Sequence, residues 1–133
     1  DKDSLMFSIL LKEGINDFDI TEMPFLAAKW LKDALSEYCD EITIKHPNDL
    51  MIHGKKVAGI LVESIIMGDE VLAVVIGFGI NVNQKKFPPE LEGNATSFFL
   101  ETKISFNTYE LLKMLNVGFF VKKINLMLEF LKR

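Results

Sequence analysis

The chain has 133 residues, of which 49% are hydrophobic, enough for one domain around one core and too apolar for a disordered segment. A net charge of −4 argues against a nucleic-acid binder, which presents a basic face. The single cysteine, Cys39, excludes a disulfide framework within the chain and fits a reducing, cytoplasmic setting.

The first element is "SLMFSILL", Ser4 to Leu11, a dense apolar run read as a buried strand. A loop leads to a helix for which Thr21 is the expected N-cap and Pro24 falls in the first turn. That helix runs to about Tyr38, with Phe25, Ala28, Leu31 and Leu35 toward the core and Trp30 in a packing role. "EITIKH" is a short strand. "DLMI" and "KVAGILVESII" follow as two strands joined at His53-Gly54, a turn-forming pair. "MGDE" is a further turn. "EVLAVVIGFGINVN" is a long apolar strand expected inside the sheet, too short and glycine-containing to cross a bilayer, which takes about 20 apolar residues. A Pro-, Gly- and Asn-rich loop precedes a final helix capped at Asn107, with Glu110 completing a capping box. Leu111, Leu115, Phe119, Leu128 and Leu131 form its expected apolar face, and Gly118 its weak point. The chain reads as one domain, residues 1–133, of α+β class with a hairpin-rich sheet.

Several groups carry candidate chemistry. "GFGIN", Gly77 to Asn81, is not a dinucleotide fingerprint, because Val82 stands where a third glycine is required. The alternating Gly77 and Gly79 fit either a bulge or tight packing, or a flat ligand lying on bare backbone. His46 and His53 lack a third ligand for zinc and read as turn or surface residues. Cys39 reads as a partly buried thiol rather than a nucleophile. Lys56 and Asp49, seven residues apart across a turn, fit either a solvated hairpin or a phosphate-binding lysine beside a carboxylate. Spacing alone does not choose between them.

Taken together, "KHPNDLMIHGKKVAGILVES", "VVIGFGINVN" and "ATSF" resemble, in order and spacing, the biotin protein ligases. The resemblance implies a class II aminoacyl-tRNA synthetase-like (biotin/lipoate ligase) fold, with a mixed, largely antiparallel sheet flanked by helices. It implies ATP-dependent biotinylation of a lysine on a biotin carboxyl carrier protein through biotinyl-5′-adenylate. Lys56 would be the cation at the carboxylate–phosphate junction, and Asp49 would orient the acceptor amine. Gly59, Leu61, Gly77, Phe78 and Gly79 would hold biotin together with Lys56. Asn48, Asp49, Lys56 and Asn81 would hold the nucleotide, with Mg²⁺ as its counterion. Because strands alternate, Lys56 falls on the face opposite Gly59 and Leu61 unless a bulge intervenes. His46 replaces the family's tryptophan. The family's glycine- and arginine-rich biotin loop is expected upstream of Asp1, so the chain reads as the C-terminal two thirds of a catalytic domain, incomplete for catalysis alone. A homodimer through the sheet is a further implication, with no nucleic-acid or membrane partner. The alternative is a non-catalytic relative that binds biotin or the adenylate, or self-associates.

Overall fold

The computed structural model describes residues 3–12 and 17–131. Five strands form one sheet: β1 (Ser4–Leu11), β2 (Ile42–Lys45), β3 (Asp49–Ile52), β4 (Lys55–Met67) and β5 (Glu70–Asn81), in the order β1-β5-β4-β3-β2. Every strand pairing is antiparallel. A parallel bridge between Lys56 and Ala95 makes the sheet mixed. As expected from its apolar run, β5 lies inside the sheet, between β1 and β4.

The β3–β4 hairpin turns at His53 and Gly54, with φ of 51° and 76°. A two-residue turn that follows the strand twist needs positive φ at both central positions. Gly68, φ 62°, serves the β4–β5 turn. Along β4 the pairing runs Asp49↔Gly59 and Leu50↔Ala58, then Met51↔Lys56, so Val57 is an extra, bulged residue. Val57 and Ala58 are consecutive yet both buried, which regular alternation forbids.

Helix α1 (Asp17–Leu35) begins earlier than the capping signals suggest. Thr21 therefore lies in its second turn, and Pro24 is inside the helix rather than in the first turn. An interior proline costs about 3 kcal/mol. Met23, Ala27, Ala28, Leu31 and Leu35 are fully buried and offset it, at roughly 1.5–3 kcal/mol for each large side chain. Phe25 is exposed, contrary to expectation. At 100° per residue it points roughly 120° away from Leu31. Trp30 packs as expected, stacked on Phe120 at 4.5 Å and edge-on to Phe78 at 5.5 Å. Cys39 is partly buried against the core.

A short helix absent from the sequence reading, α2 (Phe98–Thr102), is capped by Ser97, whose hydroxyl accepts from the Leu100 amide at 3.1 Å. The final helix is two helices, α3 (Thr108–Leu115) and α4 (Val117–Leu131). Asn107 caps α3 as expected, accepting from the Glu110 amide at 3.0 Å. The break falls at left-handed Asn116, φ 54°, and not at Gly118. The break shifts the helical phase by one, so Phe120 and Ile124 follow Leu111 and Leu115 into the core while Phe119 is exposed. The side chains of Leu128 and Leu131 lie outside the described residues.

Helices α1, α3 and α4 bury one face of the sheet, through Leu5, Ile9, Leu50, Ala58, Ile60, Ile76, Phe78 and Ile80. The other face carries exposed Met6, Leu10, Leu61 and Ile65.

Candidate functional site

The open face holds a cavity of about 530 Å³, within the size range of small-molecule sites. Its lining includes Asn48, Asp49, Lys56, Gly59, Leu61, Gly77, Phe78 and Gly79. The sheet register explains the gathering. One row across the sheet reads Asp49, Gly59, Gly79, Met6; the next reads Leu61, Gly77, Ser8. The bulge at Val57 brings Lys56 onto this same face, which strict alternation would prevent.

Lys56 Nζ lies 3.2 Å from Asp49 Oδ1, with the lysine half exposed. A Cβ placed on Gly59 would stand 3.0 Å from Lys56 Cε and Nζ, so the lysine lies over bare glycine backbone. Gly77 and Gly79 lie in unbroken register with both neighbours, and a Cβ on Gly79 would meet nothing within 4 Å. Neither a bulge nor tight packing therefore accounts for Gly79. The pair leaves a strip of exposed main chain in the cavity floor.

Asn48 is held by main chain and side chain together. Its Nδ2 donates to Ile60 O at 2.6 Å, and its carbonyl accepts from the Ile60 amide at 3.0 Å. Phe78 contributes backbone to the cavity; its ring is buried on the helix face, stacked on Phe7 at 4.7 Å. Asn81 is not part of the lining. Its Nδ2 donates to Thr96 O at 3.1 Å and its Oδ1 accepts from Gln84 Nε2 at 3.3 Å, so it braces the loop beside the cavity.

The sequence reading missed Met6 and Ser8, which β1 carries into the cavity. Ser8, a hydroxyl inside an apolar strand, was the available signal. It also missed the segment behind Lys56. There Asn94 O accepts from the Lys56 amide and Lys56 O accepts from the Thr96 amide, both at 2.9 Å. Thr96 Oγ1 donates to Glu101 Oε2 at 2.6 Å, and Glu101 Oε1 meets His53 Nδ1 at 2.8 Å. His53 Nε2 contacts Glu41. Glu101, then Glu41, raise the His53 pKa above its ordinary value. Burial works to raise Glu101, but hydrogen bonds from Thr96 and His53 outweigh it and hold that carboxyl below the usual range.

A second cavity, of about 370 Å³, lies between α1 and α4 against Trp30, Phe119, Phe120 and Ile124. The candidate polar groups Asn48, Asp49 and Lys56 all lie instead in the open-face cavity.

A profile of the biotin/lipoate A/B protein ligase family matches residues 1–81. The bifunctional ligase/repressor BirA of Bacillus subtilis (strain 168) is 41% identical over 93 residues, which cover 68% of this chain and 29% of that protein. The biotin–[acetyl-CoA-carboxylase] ligase of Paracoccus denitrificans is 45% identical over 64 residues, 46% of this chain and 27% of that one. Among solved structures, the biotin protein ligase of Aquifex aeolicus without ligand superposes with a TM-score of 0.77 at 26% identity, covering 96% of this chain and 55% of that one. The same ligase in complex with biotin and ATP gives a TM-score of 0.72 at 28% identity, covering 96% and 50%. The chain spans less than a third of the curated relatives it matches and about half of these solved chains. With its five-stranded sheet and an open-face cavity lined by Asn48 and Asp49 of the K-x-P-N-D stretch and by Lys56, Gly59 and Leu61 of the G-K-K-x-A-G-I-L-V-E stretch, the chain belongs to the biotin/lipoate A/B protein ligase family.

Proposed function

We propose that the protein is a cytoplasmic biotin ligase that attaches biotin to a lysine of a biotin carboxyl carrier protein through biotinyl-5′-adenylate. The observation that carries this reading is the Lys56–Asp49 pair at the edge of a slot floored by Gly59, Gly77 and Gly79. A flat bicyclic ring fits a slot whose floor is glycine main chain, because no side chain there blocks its close approach.

Adenylate formation brings two anions together, the biotin carboxylate and the α-phosphate. Lys56 is placed to lower that repulsion and to stabilise the charge that grows in the transition state. In the second step the carrier lysine must reach the mixed anhydride as a free amine. Asp49 is placed to accept and orient its proton. Asn48 holds the entry to β3, fixing the strand from which Asp49 projects. Asn81 is assigned to the nucleotide side, where it supports the loop rather than the cavity floor. Asp49 is the carboxylate among the cavity's lining residues, and no group of three or more His, Cys, Asp or Glu among the described residues could hold a metal. Mg²⁺ would be carried on the nucleotide's phosphates as their counterion, the way this ion is held by phosphates with one or two carboxylates.

The test is labelling of a carrier domain with biotin and ATP. ATP-dependent transfer to its lysine, with pyrophosphate release that requires biotin, is the expected result. Transfer of lipoate in place of biotin, or pyrophosphate release without either acid, would overturn the reading.

A second reading, self-association through the open face, is favoured by one observation: Met6 is 77% exposed and Leu61 59% exposed on that face. Sedimentation as a monomer with and without biotin would remove it.

A further inference from the structure

The proposed chemistry leaves a polar network behind Lys56 unused. His53 sits in the β3–β4 turn and touches a carboxylate with each ring nitrogen, Glu101 through Nδ1 and Glu41 through Nε2. An ionised carboxylate only accepts hydrogen bonds, so both contacts are hydrogen bonds together when the ring is an imidazolium with two N–H donors. The path onward is continuous. Glu101 Oε2 takes the Thr96 hydroxyl at 2.6 Å, and the Thr96 amide donates to Lys56 O at 2.9 Å. The Lys56 amide closes the bridge on Asn94 O. Beyond Ala58, β4 has no β5 partner, so this bridge is what fixes the Lys56 main chain on that side.

We propose that His53 is a positioning residue: as a doubly bonded cation it locks the β3–β4 turn to α2 and the Asn94–Thr96 segment, and so holds the main chain from which Lys56 reaches the cavity. Deprotonation removes one of its two donors. One carboxylate then faces a ring lone pair, and the lock loosens. The role rests on the function proposed for Lys56 above.

The charged groups around the ring are Glu41 at the entry to β2, Glu101 on α2, and Lys55 on β4, which acts on Glu101. His53 has a raised pKa, so its share of the lock is complete below its ordinary value of 6.5 and is lost as pH rises through the raised one. Glu101 has a lowered pKa, so its share is complete above its ordinary value of 4.5 and is lost as pH falls through the lowered one. The lock is closed between these limits and opens on the alkaline side.

The test combines amide hydrogen exchange at Lys56 and Thr96 with biotin-dependent pyrophosphate release, in the protein and in His53→Asn. Asparagine tolerates positive φ and keeps the turn, but cannot bridge two carboxylates. After correction for intrinsic exchange, protection of both amides should fall about tenfold as pH rises through the His53 titration, and should be low and pH-independent in the variant. Pyrophosphate release should lose its alkaline limb in the variant. Equal protection and an equal pH profile in the two proteins would overturn the proposal. If the unmodified protein releases no pyrophosphate, the functional reading fails, while the exchange data still decide the lock.

Discussion

Lys56 lies across Gly59: a Cβ at position 59 would stand 3.0 Å from the lysine's Cε and Nζ. The two residues are three apart on one strand, and they share a face because Val57 bulges between them. The atoms in the way are the free end of a flexible side chain, so Gly59→Ala should cost the fold little, about 0.5 kcal/mol or less. It should move the ammonium by a fraction of an ångström to an ångström. Misplacement on that scale costs up to about a hundredfold in rate. Thermal unfolding and pyrophosphate release together check this, and a normal rate would remove the positional role of Gly59.

Lys56→Met keeps an unbranched apolar stem, one atom shorter, but deletes the charge. The pair with Asp49 is half exposed on the lysine side, and such pairs contribute about 1 kcal/mol or less to stability. Loss of a charge that stabilises a transition state costs about 10²–10³ in kcat. The expected variant is therefore folded, close to normal Tm, and severely slow in adenylate formation. A near-normal single-turnover rate would sink the assignment.

Gly79 faces open space, with nothing within 4 Å of an added Cβ. Gly79→Val should therefore fold as well as the parent or gain about 0.5–1 kcal/mol, since glycine weakens a strand interior. Isothermal titration should show biotin binding lost. Retained affinity would mean that the ring does not lie on this strip of backbone.

Asn116 ends α3 in the left-handed region, φ 54°. Asn116→Gly should be neutral or slightly stabilising, whereas Asn116→Val should lose about 1–2 kcal/mol, because a β-branched residue resists this conformation. Chemical denaturation of both variants checks the sign and size. Equal stability would show that the break can move along the chain.

Glu101 carries the pH dependence on the acid side. Its pKa is lowered against the pull of burial, so its contribution to stability should be complete between its ordinary value of 4.5 and the His53 titration, and fade as pH falls below 4.5. The difference in Tm between the protein and Glu101→Gln should follow that course. A difference that persists unchanged to low pH would show that Glu101 acts through packing and not charge.

Much of the architecture was legible in the sequence because its causes are local. Dense apolar runs mark β1 and β5, and His53-Gly54 can take the positive φ of a two-residue hairpin. Asn107 and Glu110 announce the start of α3. The motif wording identified the family, and most of the residues it singled out line one cavity. The misreadings rest on local signals that other features overrode. Pro24 looked like a helix start, and core contacts from Met23 to Leu35 extended the helix past it. Leu111, Leu115 and Phe119 looked like one stripe, and one left-handed residue shifted the phase to Phe120.

By itself, the sequence determined which segments are strands, where the hairpins turn, and which family the chain resembles. Each of these depends on side chains within a few positions of one another. Only the tertiary structure decided that Lys56, Asp49 and Gly59 share a face, that Gly79 looks into open space, and that His53 reaches Lys56 through Glu101 and Thr96. Those relationships depend on pairing register and on contacts across up to 48 residues of chain. A one-residue bulge in β4 inverts which side chains meet, and nothing in the local alternation from Lys55 to Leu61 announces where that extra residue falls.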